Sequence, residues 1–431
     1  MNHAKAVALA SVLTAVTTAP AAADELEVSS QGEVGAEARI FLPGTEGDLG
    51  NVSGIARLYL ELEYDDFELN LRGFGRHDGI DRKRSALFPE EAFLEYKNNP
   101  VRVRLGYQLL NWTATEAFHP ADIINARYLD GNVQNPEKLG ELMGAFRYKF
   151  LDGNVEAYVM PLFTSPVFPS EDSRFRFGPL GVALGETLVL DRDGTLEDDP
   201  WFLQWGARVQ QSIFGADVSL HFIRHIDRSL PLVTLTDDGN GGLTPGLVFQ
   251  ALTQVGGTYQ QVWGPIIVKV EAAYRDFENP TESEREMLPP EPLFSVPDRD
   301  HTLVAVGLEY GLPHDDGEST FLLEGQYAIG FPDEEEAPGQ LLLFGSDVLA
   351  GYRYAFNDVD DKTITASVII DIEEPEQIFG NVAYQQRIGE EWRGELGFRL
   401  INFPAADPNN PQGPENLDDA NYFYTSLIRF F

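Results

Sequence analysis

The chain has no cysteine among its 431 residues. Disulfide staples, thiolate metal sites and cysteine nucleophiles are therefore excluded. Basic residues are scarce: 31 Lys and Arg stand against 69 Asp and Glu, a formal charge of −38. Nucleic-acid phosphates need a basic footprint, so no nucleic-acid partner is expected. The carboxylate surplus suits either a solvated acidic surface or one that attracts cations, and composition does not separate the two. Helical periodicity is nearly absent. Beyond the N-terminus no run is apolar enough for a membrane-spanning helix, which takes about 20 residues. Gly-rich phosphate loops and HExxH motifs are also missing, so neither a cofactor nor a metal is implied.

At the N-terminus, Lys5 precedes an apolar run over residues 6–16, followed by Pro20-Ala21-Ala22-Ala23-Asp24. A basic start, a short apolar centre and a small-residue end predict a signal peptide over 1–23, cut after Ala23. The remainder, 24–431, reads as one domain in an exported compartment.

What the chain does have is alternation. Leu58-Tyr59-Leu60-Glu61-Leu62-Glu63-Tyr64 places apolar residues at every even position. Val101-Arg102-Val103-Arg104-Leu105 and Trp392-Arg393-Gly394-Glu395-Leu396 behave alike. Successive strand side chains point to opposite faces, so each segment has one apolar and one polar face. The segments run about 9 to 12 residues, as tilted membrane strands require, longer than the usual soluble strand of about 5 to 6. Short links such as Asp65-Asp66, Phe214-Gly215 and Gly389-Glu390 alternate with long acidic ones at 43–53, 76–90, 110–139, 163–200, 227–246, 278–299, 330–344 and 404–419. One link in the long series, around Glu373-Glu374-Pro375, is short.

This rhythm predicts an all-β fold: a transmembrane antiparallel β-barrel of about 18 strands, with short periplasmic turns and long outer loops, in the cell outer membrane. Lipid and lipopolysaccharide would meet its outer face. Aromatics at segment ends (Tyr64, Phe67, Tyr96, Trp112, Phe150, Trp201, Trp205, Trp263, Tyr274, Phe356, Trp392, Phe403) would form the girdles at the two lipid–water boundaries. The last segment, Tyr422 to Phe431, resembles the closing strand of outer-membrane barrels. That resemblance implies recognition of Phe431 by barrel-assembly machinery.

A barrel this wide is not filled by its own side chains. Its polar face would line an aqueous lumen. Arg57, Arg72, Arg102 and Arg104 fall on early segments and would form a basic ladder along one wall. Opposed acidic and basic walls select charged solutes; alternatively, these residues simply bond one another and stiffen the lumen.

The segment NWTATEAFHPADIINARYLDGNVQNPEKLGE, residues 111–141, breaks the alternation. It falls in the third outer link, 110–139. Its aromatic and aliphatic residues argue for packing, so an inward-folded constriction is expected. Trp112 and Phe118 would anchor it. A short helix over Ala121–Arg127 would follow Pro120. Glu116, His119, Asp122, Arg127, Glu137 and Lys138 would face solute or pair with wall arginines.

Gly106-Tyr107-Gln108, Asn111-Trp112-Thr113 and Pro120-x-Asp122-x-x-Asn125 resemble a proteobacterial barrel group related to alginate-export and porin-like proteins. Thr113 stands where that group tends to have Gly. The resemblance covers some 35 residues and implies a porin-like channel without assigning a substrate.

Three functions follow in order. The first is passive passage of small polar or charged solutes, with selectivity set by Trp112, Glu116, His119, Asp122, Arg127 and Lys138 together with the four wall arginines. The second is a dedicated exporter or importer of an acidic polysaccharide or a hydrophobic compound. The third is a barrel hydrolase using Asp217, Ser219, His221 and His225. Neighbours two apart on one strand face lie about 6 to 7 Å apart, too far for a proton relay, so no enzyme is expected. Calcium on the acidic stretches 191–199 or 237–240 is a further alternative, though neither has EF-hand spacing. Assembly into a homo-oligomer is left open.

Overall fold

The computed structural model describes residues 26–43, 47, 49–129, 136–176, 184–185, 187–190, 195–198, 200–229, 231–237, 243–286, 288–289, 294–332, 344–404, 417–418 and 420–431. The predicted signal peptide and most of the two acidic stretches considered for calcium lie outside these residues.

Eighteen antiparallel strands close into one barrel. The first six are β1 (Glu27–Phe41), β2 (Gly50–Tyr64), β3 (Phe67–Asp78), β4 (Ala86–Asn98), β5 (Val101–Gln108) and β6 (Glu141–Phe150). The next six are β7 (Gly153–Leu162), β8 (Trp201–Ile213), β9 (Ala216–Ile226), β10 (Leu243–Trp263), β11 (Ile266–Phe277) and β12 (His301–His314). The last six are β13 (Gly317–Ile329), β14 (Asp347–Ala355), β15 (Thr363–Asp371), β16 (Ile378–Ile388), β17 (Trp392–Asn402) and β18 (Tyr422–Phe430). Each pairs with its chain neighbours. β1 pairs with β18 from Glu33↔Phe430 to Phe41↔Tyr422, which leaves the sheet without an edge. Closure pairs each strand with a neighbour on both sides, the condition for crossing a bilayer.

The connections agree with the expected rhythm, including the short link at 372–377. Several strands exceed the expected length: β2 has 15 residues and β10 has 21. The extra length of β10 pairs with a small strand at Leu232–Asp237 on the loop side of the barrel.

Alternation sets the two faces. Leu58, Leu71, Leu94, Leu105, Phe146, Val159, Leu220, Val255, Leu323 and Leu396 point outward and are exposed, forming an apolar belt. Such a face on a closed barrel is matched by lipid, and the molecule is an outer-membrane barrel. Tyr64, Phe67, Trp201, Trp205, Trp263, Tyr274 and Trp392 stand exposed, as girdle residues do. Trp112 and Phe403 do not belong with them: both are buried inside, at 2% and 4% exposure.

The lumen is polar towards the short turns. Its loop-side half carries apolar clusters instead. One joins Phe41, Phe379, Ile401 and Tyr422 of the wall to Phe118 and Phe175. Another joins Met143, Tyr158, Ile223, Leu252 and Phe277 to Trp112, Ile123 and Ile124. These wall residues meet the segments 110–129 and 163–176 rather than water.

Two glycines answer to close approaches. Gly106 has φ +134°, and a Cβ there would collide with the Ala92 carbonyl. A Cβ at Gly32 would sit 2.5 Å from the Phe431 ring. A larger residue there would make the terminal ring, itself largely exposed, swing aside.

Candidate functional site

The segment after β5 crosses the lumen. Trp112 packs at one wall, against Tyr158 of β7 (ring centroids 5.7 Å) and His221 of β9 (4.8 Å), with the Arg208 guanidinium over its ring. Six residues later, Phe118 joins the cluster on β14–β18 and β1.

Two wall carboxylates hold the stretch between these anchors. Glu271, near the middle of β11, accepts the backbone N–H of Ala114 (2.5 Å), Thr115 (2.9 Å) and Ala121 (3.2 Å), and the Thr115 hydroxyl (2.7 Å). Glu324 of β13 accepts the N–H of Glu116 (2.6 Å) and Ala117 (2.8 Å). A charged acceptor makes stronger hydrogen bonds than a neutral one. These anchors also satisfy buried backbone donors that have no ladder partner.

The expected helix over Ala121–Arg127 does not form. These residues make turns and bends. Their polar groups are committed elsewhere: Ala121 donates to Glu271, and Asn125 is a three-way knot. The Asn125 amide donates to the Gln108 and Leu139 carbonyls (2.9 Å each), and its oxygen accepts from Leu110 (2.8 Å). Arg127–Tyr128 then pairs with Glu137–Lys138 as a two-residue ribbon.

Glu116, His119, Asp122, Arg127 and Lys138 come together. With Asn111, Thr113, Gln260 and Lys269 they line a cavity of about 490 Å³. Asp122 clamps the two loop cations, Arg127 at 2.9 Å and Lys138 at 2.6 Å. Glu116 pairs with Lys269 of β11 (2.6 Å), which also pairs with Glu309 of β12. Trp112 stands behind this rim, as an anchor.

Burial and charge tune these loop groups. Burial pushes the His119 imidazole down to about 4, against the opposing pull of Asp122. Burial likewise lowers Arg127 and Lys138, again against Asp122. For Glu116, burial acts to raise the carboxyl, but Lys269 outweighs it and the net shift is downward.

The wall arginines lie apart from the cavity, interleaved with carboxylates. Arg57 and Arg72 share Glu90, each at 2.8 Å, and Arg57 also reaches Glu33. Arg104 bonds Glu95 at 3.0 Å. Arg102 is the freest, with Glu95 at 3.9 Å and its side chain 48% exposed. It lines a separate recess at the short-turn mouth with Lys97, Arg147 and Lys149. The expected basic ladder is thus a row of ion pairs, because β1 and β4 bring glutamates beside it.

Ser219 and His221 do not form a relay. Ser219 bonds Thr258 (2.7 Å) and Arg208 (3.2 Å), while His221 bonds Gln254 (2.9 Å) and Asp217 bonds Ser212.

Lys269, Glu271, Glu324 and Asn125 matter more to the site than the sequence suggested. Alternation marks Lys269 and Glu271 as inward, but nothing local says which wall residues a distant loop will reach. Asn125 had a signal in the Pro120-x-Asp122-x-x-Asn125 spacing.

No family model matches the chain, and no curated protein matches it. Among solved structures, OccAB1 of Acinetobacter baumannii aligns over 94% of this chain and 96% of its own, at 9% identity and TM-score 0.52. The outer membrane channel DcaP of Acinetobacter baumannii covers 94% and 97% at 12% identity and TM-score 0.45. A mutant of the Rh. blastica porin covers 94% and 100% at 14% identity and TM-score 0.43. The likeness to OccAB1 is one of fold: a single barrel, shared over nearly the whole of both chains.

Proposed function

We propose that the chain is a porin-like channel passing small polar or charged solutes by diffusion, with selectivity set at the cavity beneath residues 111–127. The observation that carries this reading is the placement of that segment. It spans the lumen from Trp112 to Phe118, is held near mid-height by Glu271 and Glu324, and presents an almost wholly polar rim. Asp122, Arg127, Lys138, Glu116 and Lys269 place both charge signs at the constriction. A solute carrying both signs would exchange water for oriented partners there. Arg102 and the residues around it act as a vestibule at the other mouth. On the same reading the apolar belt meets lipid and lipopolysaccharide, and Phe431 meets the assembly machinery. Swelling of liposomes containing the protein tests it. Amino-acid-sized zwitterions should enter faster than uncharged sugars of equal size; equal rates, or no swelling, would count against the reading.

A further inference from the structure

Arg208, on the lumenal face of β8, is 7% exposed. Its guanidinium lies over the Trp112 ring and donates to two neutral oxygens, the Ser219 hydroxyl at 3.2 Å and the Gln210 side-chain carbonyl at 3.0 Å. Its Nε is buried without an acceptor. No carboxylate among the described residues stands within ion-pair distance of it. Glu156, directly opposite on β7, is engaged by Arg147 and by the Tyr158 hydroxyl. Asp122 and Glu271 act on Arg208 only from farther away, and their oxygens hold Arg127, Lys138 and the N–H groups of the constriction segment. Arg57, Arg72, Arg104 and Arg147, by contrast, each have a glutamate. The Trp112 face offsets part of the charge. A buried cation without a bonded anion is otherwise uncompensated.

Arg208 faces a cavity of about 320 Å³ on the short-turn side of the segment, with Ser219, Thr258 and Gln260 around it and Thr113 and Ala114 at its edge. Gln260 makes no side-chain hydrogen bond among the described residues, so both ends of its amide are open to a ligand. Thr113, Ala114 and Gln260 also line the cavity at the constriction, so the two spaces adjoin. The cavity's two carboxylates, Asp152 and Asp217, sit at its short-turn end. Asp217 opposes Ser212, four residues along β8 from Arg208, or about 13 Å. We infer that Arg208 is a seat for the oxyanion of a small solute, a carboxylate or a phosphate, with Ser219 and Gln260 completing its hydrogen bonds. A guanidinium meets either group through a planar fork of donors. The inference rests on the channel reading and deepens it: a zwitterion leaving the mixed-charge rim next meets Arg208 with its carboxylate.

The test reads binding without flux. Tryptophan emission of the detergent-solubilised protein is titrated with sodium acetate and, separately, with sodium phosphate, at an ionic strength held constant with chloride. Trp112 lies under the guanidinium, so a bound oxyanion should change its emission saturably, and Trp112→Phe should lose that change. Arg208→Gln should weaken binding about tenfold or more. Arg353→Gln, on β14 and away from the cavity, should match the wild type. Heat-modifiable gel mobility checks that each variant is folded. Ser219→Ala, a smaller change that should also weaken binding, covers the case of an unfolded Arg208→Gln. Saturation by acetate, by phosphate or by both supports the seat and names its ligand. A wild type that responds to neither would overturn the inference, as would undiminished binding by Arg208→Gln or, where that variant does not fold, by Ser219→Ala. Intact binding with silent membranes would count against the channel reading alone, and open channels without binding against the seat alone.

Discussion

The carboxylate of Glu271 accepts both the backbone N–H of Thr115, at 2.9 Å, and its hydroxyl, at 2.7 Å. One wall side chain thus fixes a segment that the chain lays down 156 residues earlier. Glu271→Ala removes the acceptor from three backbone donors. Each buried donor left unpaired costs about 1–3 kcal/mol. The variant should unfold at lower temperature and, in bilayers, show noisier and larger current steps. Unchanged steps and unchanged Tm would remove Glu271 from the account of the constriction.

Asp122 holds two cations. Asp122→Asn leaves Arg127 and Lys138 without their shared anion, and a broken buried pair costs about 3–5 kcal/mol, less where cavity water reaches the charges. The reversal potential in a salt gradient should move towards anion selectivity. A shift towards cations would contradict the placement of Asp122 at the constriction.

Trp112 is the first anchor. Trp112→Ala opens a void among Tyr158, His221, Met143 and Ile223. A loss of about 3–5 kcal/mol is expected, measured by urea unfolding of the barrel in detergent. Trp112 shows how far the sequence could be read. Its place in a packed third loop was legible, because a cluster of aromatic and aliphatic residues interrupts strict alternation. Its seat on Tyr158 and His221 was not, because register across β5 to β9 depends on pairing between distant segments. The barrel itself was legible for the opposite reason: strand faces and turn lengths are local properties. The helix expected over Ala121–Arg127 is absent because its backbone groups are engaged from outside: remote Glu271 accepts the Ala121 N–H, and the Leu139 N–H donates to the Ala126 carbonyl.

His119 sets a pH signature. Its folded pKa, about 4, lies below the ordinary value of 6.5. The unfolded chain therefore binds the extra proton first, so stability falls as pH drops through 6.5 and the loss is complete near pH 4. His119→Gln should flatten that part of the stability–pH curve. Equal curves for the two proteins between pH 7 and 4 would show that His119 is not held neutral.

Arg102 and Arg104 separate selectivity from stability. Arg104→Ala removes the nearest cation from Glu95, which is 1% exposed and keeps only the more distant Lys97 (3.8 Å) and Arg102 (3.9 Å), and should lower Tm. Arg102→Ala removes a half-exposed charge and should leave Tm within experimental error while shifting selectivity towards cations, since exposed pairs contribute about 0–1 kcal/mol. The reverse assignment of effects would contradict the wall geometry.

Single-channel recording in planar bilayers tests the central claim most directly. Purified protein should give discrete current steps, and Asp122→Asn should change their ion selectivity. Silent membranes at loadings where a known porin conducts, or steps indifferent to Asp122, would contradict a channel gated in its selectivity by the segment from Trp112 to Arg127.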